Sequence, residues 1–355
     1  MDTISALVLW WSIVRRDGFY KQSQRQAVGG MMPSALSKML LGLLMLGLAF
    51  HAAQAQDYPN RPIRFIVPYL AGGGVDAVAR ILGQKLSELL GQKIVIENRA
   101  GASGTIGAAA VAKAAPDGYT LLLGPGDFIT MQSLMPRMAF DPNNDLIPIM
   151  MLSTNPMVVV ANSSAPFSNV SELLAAAKAM PGEISYGTPG NGTLNHVAGE
   201  WMSAEGQIKL LHIPYRGGSA SANGIAAGDV PLGVISPPAA LPLIDAGKVK
   251  VIALTGKVRP SFLPSTWPTL AENGLPVDSL FWTGLFAPAG TPAAIISRLE
   301  QEMNRVLRNV AIVKLMNDSG IDSAPLHHAA FIERIRDEKA RYQQIIQRAG
   351  IRVGN

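Results

Sequence analysis

The chain has 355 residues, no cysteine, few aromatic residues (6%) and a formal net charge of +5. That length suits two cores of ordinary domain size, and the lack of cysteine excludes disulfides, thiolate metal sites and thiol nucleophiles. Arg15, Arg16, Lys21, Arg25 and Lys38, against Asp2 and Asp17, all precede residue 56; the remaining 25 basic and 23 acidic residues form no basic nucleic-acid footprint.

Lys38 is followed by the apolar run Met39 to Phe50 and then by Ala53-Gln54-Ala55, a small-x-small cleavage pattern. A run of about a dozen residues is short of the roughly 20 that span a bilayer. Residues 1–55 therefore read as a leader with a secretory signal peptide, and the mature chain is expected to start near Gln56. Residues 1–30, with the apolar stretch Ile4 to Val14, fit no signal grammar, which makes Met31 or Met32 an alternative start. An uncleaved anchor is the rival reading of the apolar run.

The first half of the mature chain alternates strand and helix. Ile63 to Val67 is a continuous apolar strand. Val75, Val78, Leu82, Leu86 and Leu89 follow at helical spacing, with Gly91 at the C-cap position. Lys93 to Glu97 is expected as a strand, Gly104 to Ala114 as an Ala-rich helix, Pro116-Asp117-Gly118 as a turn and Thr120 to Gly124 as a third strand. A second α/β unit starts after Pro156, with a strand Met157 to Ala161 and a helix capped by Ser168 and running to Met180. Ile184 to Tyr186, Ile208 to Ile213, Val230 to Ser236 and Val249 to Leu254 read as strands. Helices are expected from the second glycine loop to about Ala204, over Ser219–Ala227 and over Ala239–Ala246. Phe281 to Ala287 is a further strand, Thr291-Pro292 an N-cap followed by proline at the first helical position, and amphipathic helices close the chain, the last from His328 to Arg348 before Gly350. This alternation predicts α/β lobes whose sheets are mostly parallel, joined by extended crossings near Pro156 and Asp278.

Two glycine-rich loops lie between a strand and a helix. The first is Tyr69-Leu70-Ala71-Gly72-Gly73-Gly74-Val75-Asp76 and the second Thr188-Pro189-Gly190-Asn191-Gly192-Thr193, with His196 in the helix turn that follows. Such loops offer unpaired backbone N–H groups at the positive end of a helix dipole, a ready anion site. A pair of them suggests an anion gripped from both sides, with the hydroxyls of Thr188 and Thr193 adding donors. Gly72 to Ala77 also satisfies G-x-G-x-x-A, and Glu97 ends the next strand where a dinucleotide enzyme would hold a ribose. The leader, the acidic Asp76 in the first helical turn and the lack of a paired acid and base weigh against that reading. His196 could donate to a ligand oxygen or serve packing; His212 reads as a core histidine, and His327 and His328 as solvated. No His pair has metal spacing, and no H-E-x-x-H, G-x-S-x-G or G-K-[ST] motif occurs. Arg216 and Arg99 could each clamp a carboxylate or tie loops together. Trp201 and Trp282 read as core.

Several segments in order, Tyr58-Pro59-Asn60-Arg61-Pro62-Ile63-Arg64, the Ala-Gly-Gly-Gly loop with Asp76 and Arg80, Glu97-Asn98-Arg99, Pro116-Asp117-Gly118-Tyr119-Thr120-Leu121, Tyr186-Gly187-Thr188-Pro189-Gly190, Pro214-Tyr215-Arg216-Gly217 and Ala287-Pro288-Ala289-Gly290-Thr291-Pro292, closely resemble the Bug-type periplasmic solute receptors of tripartite tricarboxylate transporters. The resemblance covers essentially the whole mature chain. It implies a two-lobed, type II periplasmic binding-protein (Venus-flytrap) fold closing on a small carboxylate. Lobe 1 is then expected at 56–157 and 276–355, and lobe 2 at 158–275. Ligand contacts are expected from Tyr69, Ala71, Gly72, Gly73, Gly74 and Asp76 of the first loop, and from Thr188, Gly190, Asn191, Gly192, Thr193 and His196 of the second. Leu70 departs from the usual proline, and Val230 to Ser236 lacks the acidic residues common there. The implied protein is a non-enzymatic monomer in the Gram-negative periplasm, without cofactor or metal, that passes its ligand to membrane permease subunits. A ligand sensor for a signalling partner would use the same clamshell.

Overall fold

An almost uninterrupted apolar run, Ile63–Val67, forms strand β1, with Ile63, Phe65, Ile66 and Val67 buried. The computed structural model describes residues 58–135 and 138–352, so the expected leader and signal peptide lie outside the described residues. Helix α1 (Gly74–Leu90) follows β1, buries Val75, Val78, Leu82 and Leu86 along one face, and stops at Gly91 in the left-handed conformation. Then come β2 (Ile94–Asn98), α2 (Thr105–Ala112) and β3 (Thr120–Pro125). A short helix α3 (Asp127–Leu134) and the eleven-residue strand β4 (Leu146–Pro156) complete this stretch.

Only Met157 separates β4 from β5 (Val158–Asn162), which opens the second sheet. It continues through α4 (Val170–Ala179), β6 (Ser185–Thr188), α5 (Leu194–Glu205), β7 (Leu211–Pro214), α6 (Gly218–Ala227), β8 (Leu232–Ile235), α7 (Pro237–Asp245) and β9 (Val249–Leu254). The chain then returns to the first sheet as β10 (Leu280–Pro288), followed by α8 (Ala293–Leu307), α9 (Val310–Asp318), β11 (Asp322–His327) and α10 (His328–Arg348).

The first sheet has the order β11-β4-β10-β3-β1-β2 and the second β7-β6-β8-β5-β9. The α/β class is as expected, but both sheets are mixed. β2, β1 and β3 run parallel, as do β7, β6 and β8, whereas β10 is antiparallel to β3 and β4, and β5 to β8 and β9. The cause lies in the crossings. A strand that enters a sheet from the end where its parallel strands finish must run against them, and β5 and β10 both arrive that way.

Two helix starts differ from expectation. Asn169, not Ser168, caps α4 by accepting from Glu172 N–H at 2.9 Å, because it is the residue directly before the helix, while Ser168 N–H donates to the Glu172 carboxylate (2.7 Å). Pro292 is itself the N-cap of α8, and the Thr291 hydroxyl donates to the Pro288 carbonyl instead (2.8 Å).

The crossings are pinned together by one buried side chain. The Thr255 hydroxyl accepts from Met157 N–H (3.0 Å) and donates to the Ser279 carbonyl (2.6 Å). Backbone bonds from Thr255 N–H to Met157 O and from Ser279 N–H to Thr255 O complete the knot. Arg341 of α10 braces it through the Asp278 carbonyl, and Tyr342 OH lies 3.0 Å from Ser279 Oγ.

Candidate functional site

The first glycine loop is shaped by a carboxylate. Asp76, 3% exposed, accepts from Gly72 N–H (3.0 Å), from Arg80 (2.8 and 3.0 Å) and from Asn98 Nδ2 (3.0 Å). Burial raises the Asp76 pKa, but the bonds from Arg80, Gly72 and Asn98 outweigh it and hold the carboxyl below its usual range. Asn98 also donates to the Tyr69 carbonyl (3.0 Å). Gly72 has φ +86, a conformation open to glycine and costly for other residues. Asp76 is thus saturated by its own loop and holds the loop in shape.

What the loop leaves open is the N-terminus of α1. Gly73 is the N-cap, is extended, and has no side chain to cap the first-turn amides. A Cβ placed on Gly73 would lie 3.9 Å from the backbone nitrogens of Gly218 and Ser219, and one on Gly74 only 2.8 Å from Ser236 Oγ. These neighbours are themselves helix starts. Gly217 caps α6 and Ser236 caps α7, in each case without a side-chain hydrogen bond to the helix. Three helix N-termini without side-chain caps, two of them from the second sheet, therefore converge on Gly73 and Gly74; α1 and α6 present first-turn amides, whereas α7 opens with Pro237 and Pro238 and presents the Ser236 hydroxyl. Each carries roughly half a positive elementary charge at its end, so together they favour an anion between them.

The second glycine loop is arranged differently. Thr193 caps α5 by accepting from His196 N–H (3.2 Å), and its hydroxyl donates to the Gly190 carbonyl (2.8 Å). Gly190 N–H reaches Thr188 Oγ1 and Gly192 N–H reaches His196 Nδ1, both at 3.3 Å. The first amide of the helix, Leu194 N–H, donates to Oδ1 of Asp127, the first residue of α3, at 2.8 Å. Asp127 is 1% exposed, and its Oδ2 accepts from the Tyr69 hydroxyl. Burial pushes the Asp127 carboxyl up to about 6, partly offset by those two hydrogen bonds, and drives the Tyr69 hydroxyl well above its ordinary range. Thr130 Oγ1 also donates to the Gly192 carbonyl (2.7 Å), so α3 is buttoned to the second loop at two points.

His196 is buried and stacks on His212 at 4.0 Å between centroids; His212 Nε2 lies 2.6 Å from Thr188 Oγ1. Burial lowers His196 to about 4, and burial with His196 alongside lowers His212 to about 3, so both are neutral at pH 7.

The structure thus brings Tyr69, Gly72, Gly73 and Gly74 to one side of the region between the sheets, and Thr188, Gly190, Gly192, Thr193 and His196 to the other. Ala71 is exposed and Asn191 half-buried at the rims. Between the loops stands Gly217, whose N–H donates to Pro189 O (3.0 Å); a Cβ on it would lie 3.4 Å from Leu70 N. Arg216 beside it is exposed, and Arg99 is engaged by Glu97 at 2.6 Å. Glu97, also 3.7 Å from Arg64, is spoken for by two guanidinium groups. That removes the ribose partner a dinucleotide reading needs. Trp201 and Trp282 are buried, as expected, and Trp282 Nε1 donates to Glu338 (2.6 Å).

Three contributors escaped the sequence reading: Asp127, Ser236 and the Gly217–Ser219 turn. Pro214 to Gly218 drew attention for its arginine, while its glycines face the first loop. Gly126-Asp127 follows the carboxyl end of β3 just as the glycine loops follow theirs, and ligands of α/β sheets gather at such ends. Two cavities, of about 590 and 340 Å³, lie around Phe140 and Lys339 and around Trp282 and Ile335. Neither is lined by a residue of either glycine loop. Among the described residues no group of acidic and histidine side chains could hold a metal, and no helix is long and apolar enough to cross a membrane.

Comparison with known proteins agrees with this architecture. Residues 78–351 match the model of the tripartite tricarboxylate transporter family receptor. Protein BugT of Bordetella pertussis is 33% identical over 305 residues, spanning 84% of this chain and 92% of its own. A protein encoded in the tcbD-tcbE intergenic region of a Pseudomonas species is 35% identical over 308 residues, 86% of this chain and 91% of its own. Among solved structures, a Rhodopseudomonas palustris protein with adipate superposes with a TM-score of 0.80 at 30% identity, covering 83% of this chain and 99% of that one. MatC from the same organism, with bound malate, gives 0.76 at 28% identity, covering 81% and 100%. The periplasmic binding protein BugD gives 0.79 at 31%, covering 83% and 99%. The chain therefore belongs to the Bug-type receptor family of tripartite tricarboxylate transporters, with the two-lobed periplasmic binding-protein fold, and is a solute-binding receptor rather than an enzyme.

Proposed function

We propose that this receptor captures a small organic carboxylate between its lobes in the Gram-negative periplasm and presents it to the membrane permease subunits of a tripartite transporter. The observation that carries the reading is the convergence of three uncapped helix N-termini, at Gly73, Gly217 and Ser236, from both sheets onto one spot. A carboxylate placed there accepts from first-turn amides of α1 on one side and, on the other, from first-turn amides of α6 and from the Ser236 hydroxyl at the start of α7, whose first two residues are prolines without an N–H, so it binds well only when the two sides are together. The adipate and malate bound by two relatives support the chemistry.

The lobes are taken as 56–157 with 276–355, and 158–275, and the knot at Thr255 as the hinge. Ligand contacts are assigned to Tyr69, Ala71, Gly72, Gly73 and Gly74 of the first loop, with Asp76 acting by holding the loop. The second-loop residues Thr188, Gly190, Asn191, Gly192, Thr193 and His196 form the facing wall. A hydrogen bond to a charged group contributes about 1.5–3 kcal/mol, and micromolar binding needs about 8 kcal/mol. Three or four such bonds, with burial of the ligand body, therefore suffice even after association costs. Closure around the ligand gives the permease a shape to recognise, and the monomer is the working unit.

A thermal-shift screen of the mature protein against a carboxylate library tests the reading. At least one carboxylate should raise the unfolding midpoint, because a ligand that binds only the folded state stabilises it. A library with no stabilising member, while amines or sugars stabilise, would refute it.

A further inference from the structure

We propose that Asp127 restricts this receptor to solutes bearing a single carboxylate group. The inference rests on the carboxylate reading above and narrows it. A clamshell with a glycine loop on each side could hold an anion at each loop, and so accept a dicarboxylate end to end. Here a carboxylate of the chain itself already stands at the second position. Oδ1 of Asp127 accepts from Leu194 N–H at the N-terminus of α5 (2.8 Å), where an incoming carboxylate would sit. Thr193 takes the amide of His196, two residues further on. Oδ2 is held by the Tyr69 hydroxyl from the stem of the first loop, so the buried carboxylate stands between the two loops rather than beside them.

Among the described residues no cation at the site compensates for it. Arg80 is committed to Asp76, Arg99 to Glu97, and Arg216 is exposed; His196 and His212 are both neutral at pH 7. A ligand with one carboxylate can seat it among the helix starts at Gly73, Gly217 and Ser236 and turn an uncharged or cationic remainder toward Asp127. A second carboxylate on the ligand would meet a buried like charge with no counter-ion among the described residues, where low polarity strengthens the repulsion.

Calorimetric titration with matched pairs of straight-chain monocarboxylates and dicarboxylates of equal carbon number, hexanoate against adipate among them, tests this at pH 7.5. The monocarboxylates should bind the unmodified protein at least tenfold more tightly than their dicarboxylate partners. In Asp127→Asn, which keeps an acceptor for Leu194 N–H but removes the charge, that ratio should shrink at least fivefold. Tighter binding of dicarboxylates by the unmodified protein would overturn the inference while leaving the carboxylate reading intact, and so would an unchanged ratio in a folded Asp127→Asn. No binding by any member of either series would count against the carboxylate reading and carry this inference down with it. The preference of the unmodified protein decides the matter even where the variant fails to fold.

Discussion

Asp127 and Leu194 lie 67 positions apart in sequence, yet the carboxylate of the first accepts a 2.8 Å hydrogen bond from the backbone N–H of the second. One residue belongs to the helix after β3 and the other to the helix after β6, so the bond ties the two sheets together at the mouth of the second glycine loop.

The burial of Asp127 carries a pH signature. Asp127 has a folded-state pKa of about 6 against a usual 3.8. The folded state therefore takes up a proton between about pH 4 and 6 that the unfolded chain does not, and this group's contribution to stability falls as pH rises through that window. Asp127→Asn should raise the unfolding free energy at pH 7.5 by on the order of 1–3 kcal/mol, with little effect at pH 4.5. Urea denaturation at the two pH values checks this. Equal effects at both would mean that Asp127 is not desolvated in solution.

The histidine pair acts in the opposite sense. His196 and His212 are held at about 4 and 3, below their usual 6.5, so the unfolded chain binds protons that the folded chain refuses. Their contribution is complete above pH 6.5 and is lost as pH falls toward 4. Replacing His212 with Gln, which keeps a polar partner for Thr188 Oγ1, should flatten the pH 4–6.5 limb of the stability profile. An unaltered limb in that variant would assign the acid sensitivity elsewhere.

Much of the fold was legible from the sequence, and the exceptions have a common cause. Strands such as Ile63–Val67 and Val249–Leu254 declare themselves by apolar runs, and α10 by its period and the glycine beyond it. β4 does not, because Pro148 and the polar stretch Ser153–Asn155 make sense only beside β10, more than 120 residues later. β11, with Pro325 inside it, is likewise an edge strand specified by its partner β4. The first loop was visible through its glycines. The approach of Gly217 and Ser236 to it was hidden because convergence of three helix starts is a tertiary fact. Asp127 was hidden because carboxylates are seldom fully buried, and nothing local marks this one.

Closure of the site depends on the absence of a side chain at Gly74. In Gly74→Ala the new Cβ would lie 2.8 Å from Ser236 Oγ and 3.0 Å from Ser236 Cβ, across the gap between the sheets, with 3.9 Å to Phe281 on its own side. The variant should fold with its stability changed by less than about 0.5 kcal/mol and lose at least roughly tenfold in ligand affinity, equivalent to about 1.4 kcal/mol. Gly73→Ala, whose Cβ would meet nothing closer than 3.9 Å, should be milder. Calorimetric affinities of the two variants compared side by side decide it.

The knot at Thr255 should be felt in stability. Thr255→Val keeps the shape but strands Met157 N–H and the Ser279 carbonyl in a fully buried place. A loss of about 1–3 kcal/mol is expected from unsatisfied buried groups, and Thr255→Ser should recover most of it. Denaturant titration of the three proteins gives the comparison; a valine variant as stable as the parent would remove Thr255 from the hinge.

That backbone amides at the starts of α1 and α6, with the Ser236 hydroxyl at the start of α7, hold one carboxylate is tested most directly by a crystal structure with a stabilising carboxylate bound. The carboxylate oxygens should lie between Gly74 and Ser236, within hydrogen-bond distance of amides in the first turn of α1 and of either first-turn amides of α6 or the Ser236 hydroxyl. A ligand lodged instead in the cavity beside Trp282 and Ile335, with the N-terminus of α1 untouched, would contradict it.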